Sequence, residues 1–431
     1  MKKYVSLILI LFMTVNMAGC AKTEDGKIAD ENNKVSSEIS KLSEYKEKLP
    51  SAENIAKTEI TDEVVSKFAD FSVELFKKCV SDEDMLISPM SVLYALGMTA
   101  NGSNGKTQDE MLEVLSMGMS MEEMNAYLKS YMDNLFDDEK QTVKMANSIW
   151  YNSENDRISV KNGFLQDVSN YYESEIYKLP FDDNALEFIN NWVYTNTDKM
   201  IDKALNKMDK DSFMYLINAL VFDAKWKEPF EDYQVEKDVF YAIDGSEKTS
   251  DFMKTVEDDY LENENAIGFI KFYEKWNYAF VAMQPKDETM TVEQLFSDMT
   301  GDKYIKFLTP KENTEVQIKM PKFEYDSNFE MSEILQEMGI KLAFDTDADF
   351  SNMADSVNPI YINRVIHKTH IENTEYGTKA AAVTIVEMNE TTCMPDEKEL
   401  KEVNLNRPFV YMIIDTKTNL PLFIGSVQTM K

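Results

Sequence analysis

Beyond residue 60 the alternation of apolar and polar positions is that of mixed helix and strand. Val65, Phe68, Phe71, Leu75 and Cys79 fall at helical spacing, which predicts a helix over 64–80 with Cys79 as a buried thiol. A second apolar helix is expected over 91–99. It should close in the turn Asn101-Gly102-Ser103-Asn104-Gly105, with a short capped helix over 107–115 after it. Ile189, Trp192 and Val193 share one face of a helix expected over 189–200, whereas 216–226 and 267–284 are strand-like. No linker-like stretch divides 59 from 431 and no internal repeat occurs, so one large α+β domain over 56–431 is expected.

The first 55 residues differ in kind. Lys2 and Lys3 precede an apolar run, 4–15, of the length of a signal peptide's core and too short to span a bilayer. It ends in Met17-Ala18-Gly19-Cys20, small residues before a cysteine, which resembles a bacterial lipobox. The expectation is a signal peptide over 1–19 and a lipidated Cys20 that holds an extracytoplasmic protein at the cell membrane. A plain secretory signal is the other reading. Residues 21–55 are polar and nearly free of aromatics, which predicts a flexible tether over 20–55, with nascent helix near 41–49.

Composition removes several classes of function. Asp and Glu number 77 against 45 Lys and Arg, a formal net charge of −32 over 431 residues. Such a surface repels phosphate backbones, so nucleic acid is excluded as a partner. Three cysteines make no disulfide framework, and with only His367 and His370 a histidine-rich metal site is ruled out. The stretch Ala100 to Thr107 fits a permissive phosphate-loop pattern, but alanine stands where its first glycine should be and a helix rather than a strand precedes it. No nucleophile elbow, zinc-protease motif or paired Cys-x-x-Cys is present. Neither catalysis nor a cofactor or metal is expected, and a monomer is.

The informative segment runs from 358 to 386. Val365, His367, Thr369 and Ile371 alternate with Ile366, Lys368, His370 and Glu372, which predicts a strand with His367 on its buried face and His370 nearer solvent. After Glu375-Tyr376-Gly377, the set Thr378, Ala380, Ala382, Thr384, Val386 and Met388 alternates and is wholly small or apolar. The alanine triplet Ala380-Ala381-Ala382 is locally also a good helix start. A segment poised to become a central strand would carry that pattern, with Gly377 as its swivel.

These residues resemble the serpin family. Glu375-Tyr376-Gly377-Thr378-Lys379-Ala380-Ala381-Ala382 is similar to the family's hinge, and Ser88-Pro89-Met90-Ser91 to an upstream segment. Asn218-Ala219, Lys225-Trp226-Lys227-Glu228-Pro229-Phe230, Pro321-Lys322-Phe323, Ala348-Asp349-Phe350-Ser351 and Asn406-Arg407-Pro408-Phe409 follow in the family's order. The resemblance implies three β-sheets with eight or nine helices and an exposed reactive-centre loop, about 375–404. It also implies a suicide inhibitor. A serine protease forms an acyl-enzyme at the loop, and the cut hinge then inserts into the main sheet and carries the trapped protease with it. A dozen new ladder bonds plus apolar burial would supply on the order of ten to thirty kcal/mol, against roughly 5–15 kcal/mol holding a protease domain together.

By family spacing the reactive bond is Thr391–Thr392, with Glu390 or Met394 as other anchors. No Lys or Arg lies between Ala380 and Glu397, which points to elastase-like or subtilisin-like targets and away from trypsin-like ones. Cys393 would be an exposed loop thiol. Ser88, Ser91, Asn218 and His367 match the polar cluster beneath the opening sheet, and Trp226 the place where loop entry begins. The residues themselves allow a bland reading of His367 as a satisfied buried histidine. The other function to weigh is a non-inhibitory serpin serving as a surface binding or adhesion scaffold. Small residues throughout the hinge favour insertion.

Overall fold

The computed structural model describes residues 41–49, 55, 57–135, 141–155, 158–378 and 399–430. Backbone contacts divide the chain into units 1–44 and 45–431. Of the first, residues 41–44 are described; the architecture below is that of the second. Cys20, Ala380, Ala381, Ala382, Thr391, Thr392 and Cys393 lie outside the described residues.

Helix α1 (Asp62–Cys79) is followed by strand β1 (Met85–Ile87) and helices α2 (Pro89–Gly102), α3 (Gly105–Ser116) and α4 (Met121–Met132). Local chemistry sets their starts. Thr61 caps α1, Ser88 caps α2 with Pro89 in the first turn, and Ser120 and Glu123 form a reciprocal capping box on α4. Next come β2 (Gln141–Asn152), β3 (Ile158–Val160), α5 (Asn162–Tyr172), β4 (Glu175–Leu179), α6 (Asp183–Asn196) and β5 (Met214–Lys225). A run of strands follows: β6 (Val235–Tyr241), β7 (Glu247–Glu257), β8 (Asp259–Glu262), β9 (Ala266–Phe272) and β10 (Tyr278–Pro285). Then come α7 (Val292–Phe296), α8 (Gly301–Phe307), β11 (Thr314–Pro321), β12 (Phe323–Glu330), α9 (Ser332–Met338) and β13 (Ala354–Ser356). The chain closes with β14 (Ile366–Asn373), β15 (Gly377–Thr378), β16 (Glu399–Asn404), β17 (Phe409–Asp415) and β18 (Pro421–Val427).

Three large sheets and nine α-helices among the described residues agree with the expected α+β architecture. The main sheet runs β12-β14-β15-β5-β2-β4, the second β1-β18-β17-β10-β9-β8, and the third β16-β11-β7-β6, with a small β13-β3 ladder besides. Helix α2 packs on β5 of the first sheet and β18 of the second, so the core is continuous between them. The decisive feature lies in the middle of the main sheet. Among the described residues β5 and β14 are joined only through the two residues of β15. Beside these two strands lies a cavity of about 770 Å³, lined in part by Ser88, Ser91, Asn218, Leu220 and His367.

Two expectations are corrected here. The helix read over 91–99 runs from Pro89 to Gly102, because Asn101 is buried and exchanges amide hydrogen bonds with Asn125 of α4 at 2.7 and 3.0 Å. The polar stretch read as tether and nascent helix is paired at its end. Lys46 bridges Tyr177 antiparallel, the Glu47 amide donates to the Ile176 carbonyl at 2.8 Å, and the Lys178 amide to the Tyr45 carbonyl at 3.0 Å. An edge strand offers unpaired backbone groups whatever side chains the incoming chain carries, so a polar segment can bind there.

Candidate functional site

The site is assembled from the sheet that flanks β15. Alternation along β14 puts His367, Thr369, Ile371 and Asn373 in the interior and leaves Ile366 exposed and Lys368, His370 and Glu372 half-buried. The Ser88 amide donates to His367 Nε2 at 2.9 Å, which requires the proton on Nδ1. Burial alone pushes this imidazole down to about 4, so it is neutral at physiological pH. Ser88 Oγ in turn accepts from the Ser91 amide at 3.2 Å. Thr369 Oγ1 donates to the Leu86 carbonyl, and the Leu86 amide to Ser327 Oγ, at 2.8 and 2.9 Å. The buried His367 is therefore fixed to the start of α2.

Asn218 lines the same cavity but bonds elsewhere. Its Nδ2 donates to Asn147 Oδ1 across β5 and β2 at 2.8 Å, and its buried Oδ1 accepts from no group among the described residues. Of the four polar residues expected to form one cluster, Ser91 and His367 are each hydrogen-bonded to Ser88. Asn218 faces the same space from the other side of the gap.

At the far end of the gap the hinge is held by a ring of contacts. Trp226 is fully buried; its Nε1 donates to the Thr374 carbonyl and its amide to the Tyr376 carbonyl, both at 2.9 Å. The Phe230 amide reaches the Glu375 carbonyl at 2.9 Å, and the Glu375 carboxylate pairs with Lys322 at 2.6 Å. Tyr273 stacks on Trp226 with centroids 4.5 Å apart, and its hydroxyl meets Thr378 Oγ1 at 2.6 Å.

The hinge does not wait wholly outside the sheet. Gly377 pairs with Lys225, and Thr378 with Ala224 on one side and Asn373 on the other. Thr378 is 3% exposed. A Cβ on Gly377 would stand 2.1 Å from the Ala224 carbonyl oxygen, and its φ is +155°, so glycine serves here both for close approach of two backbones and for its backbone conformation. The residues that hold it, Tyr273, Thr374 and Lys322, were not singled out from the sequence for this role. Lys322 belongs to the Pro321-Lys322-Phe323 motif, whereas Tyr273 carries no local signal, since its partner is 105 residues away.

Comparison with known proteins bears on this geometry. The family model described as Serpin (serine protease inhibitor) matches residues 66–430. Alpha-1-antitrypsin 1-4 of Mus musculus is 25% identical over 383 residues, 85% of this chain and 88% of the mouse protein. A serpin-like protein of Methanosarcina mazei is 29% identical over 371 residues, 83% of this chain and 84% of its own. Among solved structures, the thermophilic serpin Tengpin in its native state aligns with a TM-score of 0.81 at 42% identity, covering 88% of this chain and 97% of Tengpin. Thyroxine-binding globulin in complex with thyroxine shares the fold, with a TM-score of 0.72 at 24% identity over 85% of this chain and 99% of the globulin.

Proposed function

The chain belongs to the serpin family, and on that premise we propose that it is a suicide-type inhibitor of serine endopeptidases with elastase-like or subtilisin-like specificity. The observation that carries this reading is the docked start of the loop, Gly377 and Thr378, at one end of a gap that the described residues leave between β5 and β14. If the two ladders continue in register, Ala380 would face Phe222 and Ile371, and Ala382 would face Leu220 and Thr369. Thr384 would then fall between Asn218 and His367. The inward positions Ala380, Ala382 and Thr384 are small, and the Thr384 hydroxyl would meet the two polar residues that border the cavity.

In this mechanism the protease serine attacks the Thr391 carbonyl carbon, the bond to the Thr392 nitrogen breaks, and the amine leaves with its proton. The ester holds the protease on the hinge side of the cut. Strand entry between β5 and β14 then carries the esterified end away from the loop before water completes the hydrolysis. The native state is therefore a kinetic trap. Incubation with subtilisin and with an elastase should give an SDS-resistant adduct, and sequencing of the released peptide should place the cut after Thr391. Turnover of the loop with no adduct would leave the binding-scaffold reading in its place.

We also propose that residues 1–19 are removed and that Cys20 carries the lipid, holding the inhibitor at the membrane of the producing cell. Cys20→Ser should move the protein from the membrane to the soluble fraction and abolish labelling by a fatty-acid probe.

A further inference from the structure

A buried charge sits one layer behind the hinge clamp. Lys271 on β9 is 1% exposed, the most enclosed ammonium among the described residues. Its Nζ is 2.6 Å from Glu257 Oε1 at the end of β7 and donates to the Glu228 carbonyl at 3.1 Å. It also lies 4.6 Å from the centroid of the Phe230 ring and 5.6 Å from that of Trp226. Lys271 on β9 and Tyr273, the residue that follows the strand and bridges Trp226, both address the Trp226 ring.

Nothing in the insertion chemistry needs a charge here, and burying one is costly unless it is matched. The match is complete: a carboxylate, a carbonyl and the faces of two aromatic rings. Those rings belong to the two residues whose backbone amides hold the Tyr376 and Glu375 carbonyls. We propose that Lys271, paired with Glu257, is a positioning residue for the loop hinge. By fixing Trp226, Phe230 and the 228 carbonyl, it keeps the 374–377 turn in the register from which insertion starts.

The inference deepens the inhibitor reading and rests on it for its kinetic consequence, but its structural claim can be read separately. Lys271→Met keeps the stem and removes the charge, Lys271→Arg keeps the charge, and Lys271→Met with Glu257→Leu removes both charges and restores an apolar site. Backbone hydrogen exchange at Trp226, Phe230 and Thr374 should accelerate roughly tenfold in the Met variant and in the double variant, and return toward wild type in the Arg variant. Exchange in β10 and β17 should be unchanged in all of them, which separates loss of positioning from loss of fold. Unchanged exchange at the three hinge amides in a folded Met or double variant would overturn the role. So would equal acceleration in the Arg and Met variants.

Where wild type forms an adduct, the Met variant should consume several inhibitor molecules per protease trapped, because a loosened hinge loses the race against deacylation. Equal stoichiometry would count against the role. A wild type that forms no adduct refutes inhibition alone, and the exchange result still decides for or against positioning.

Discussion

His367 is an interior base with no acidic neighbour, and its chemistry is set by what surrounds it. In the unfolded chain its ring takes up a proton near 6.5, whereas in the folded protein burial delays protonation to about 4. The folded state therefore binds fewer protons between these values. The stability from keeping the ring neutral is fully present above 6.5 and is lost as pH falls from 6.5 toward 4, reaching on the order of 3 kcal/mol. His367→Gln should flatten the pH dependence of the stability measured by urea unfolding over that window. At Gly377 the constraint is steric. Gly377→Ala places a methyl against the Ala224 carbonyl and should expel β15 from the sheet at a cost on the order of 2–4 kcal/mol, seen as a new thermolysin cut near residue 378. Ala380→Arg leaves the docked pair intact but puts a long cation at the next inward position. The protein should then be cleaved as a substrate with no trapped protease.

Elements differ in how plainly their residues announce them. β14 was legible because its two faces differ in polarity, and the alternation that put His367 inside is the one observed. The helix expected over 189–200 runs from Asp183 to Asn196; Asp182 accepts from the Asn184 and Ala185 amides at its start. The strand-like run over 267–284 is two strands, β9 and β10. The turn between them contains no glycine or proline, and Lys275 and Trp276 adopt positive φ of 78° and 65° instead. Ordinary turn signals could not reveal it. β15 was the least visible, because two residues form a strand only when tertiary partners supply both ladders. Lys225, Ala224 and Asn373 supply those ladders, and the Tyr273 hydroxyl adds a side-chain contact to Thr378. Tyr273→Phe would leave Thr378 Oγ1 buried without the phenol hydroxyl and should weaken docking by roughly 1–3 kcal/mol, measured as faster amide exchange at 377–378 with the rest of the main sheet unaffected.

At the scale of the whole molecule the order of motifs was more informative than any periodicity. Short matches from Ser88 to Phe409 fixed the three-sheet architecture, while the partial entry of the hinge depended on packing that no local pattern encodes. The open gap makes a global prediction. A single cut near Thr391 should raise the melting temperature, on the order of 20 °C if about ten kcal/mol or more is released. A nicked protein that melts with the intact one would mean that the loop has nowhere better to go. The formal charge of −32 belongs to this scale too. Encounter with a basic protease should be faster at low ionic strength and slow as salt is added, with the adduct itself unchanged.

The pairing of Gly377 with Lys225 gives insertion a fixed point of origin, and hence a minimum reach. Thr384 lies seven positions beyond Gly377 and is the first residue that would touch both His367 and Asn218. On the proposed inhibitory mechanism, an attacker that cuts short of that distance would leave a stub unable to span the gap, and the molecule would be spent without a captive. Proteases would thus divide by where they bite: those cutting far out would be caught, and those cutting close in would disarm it.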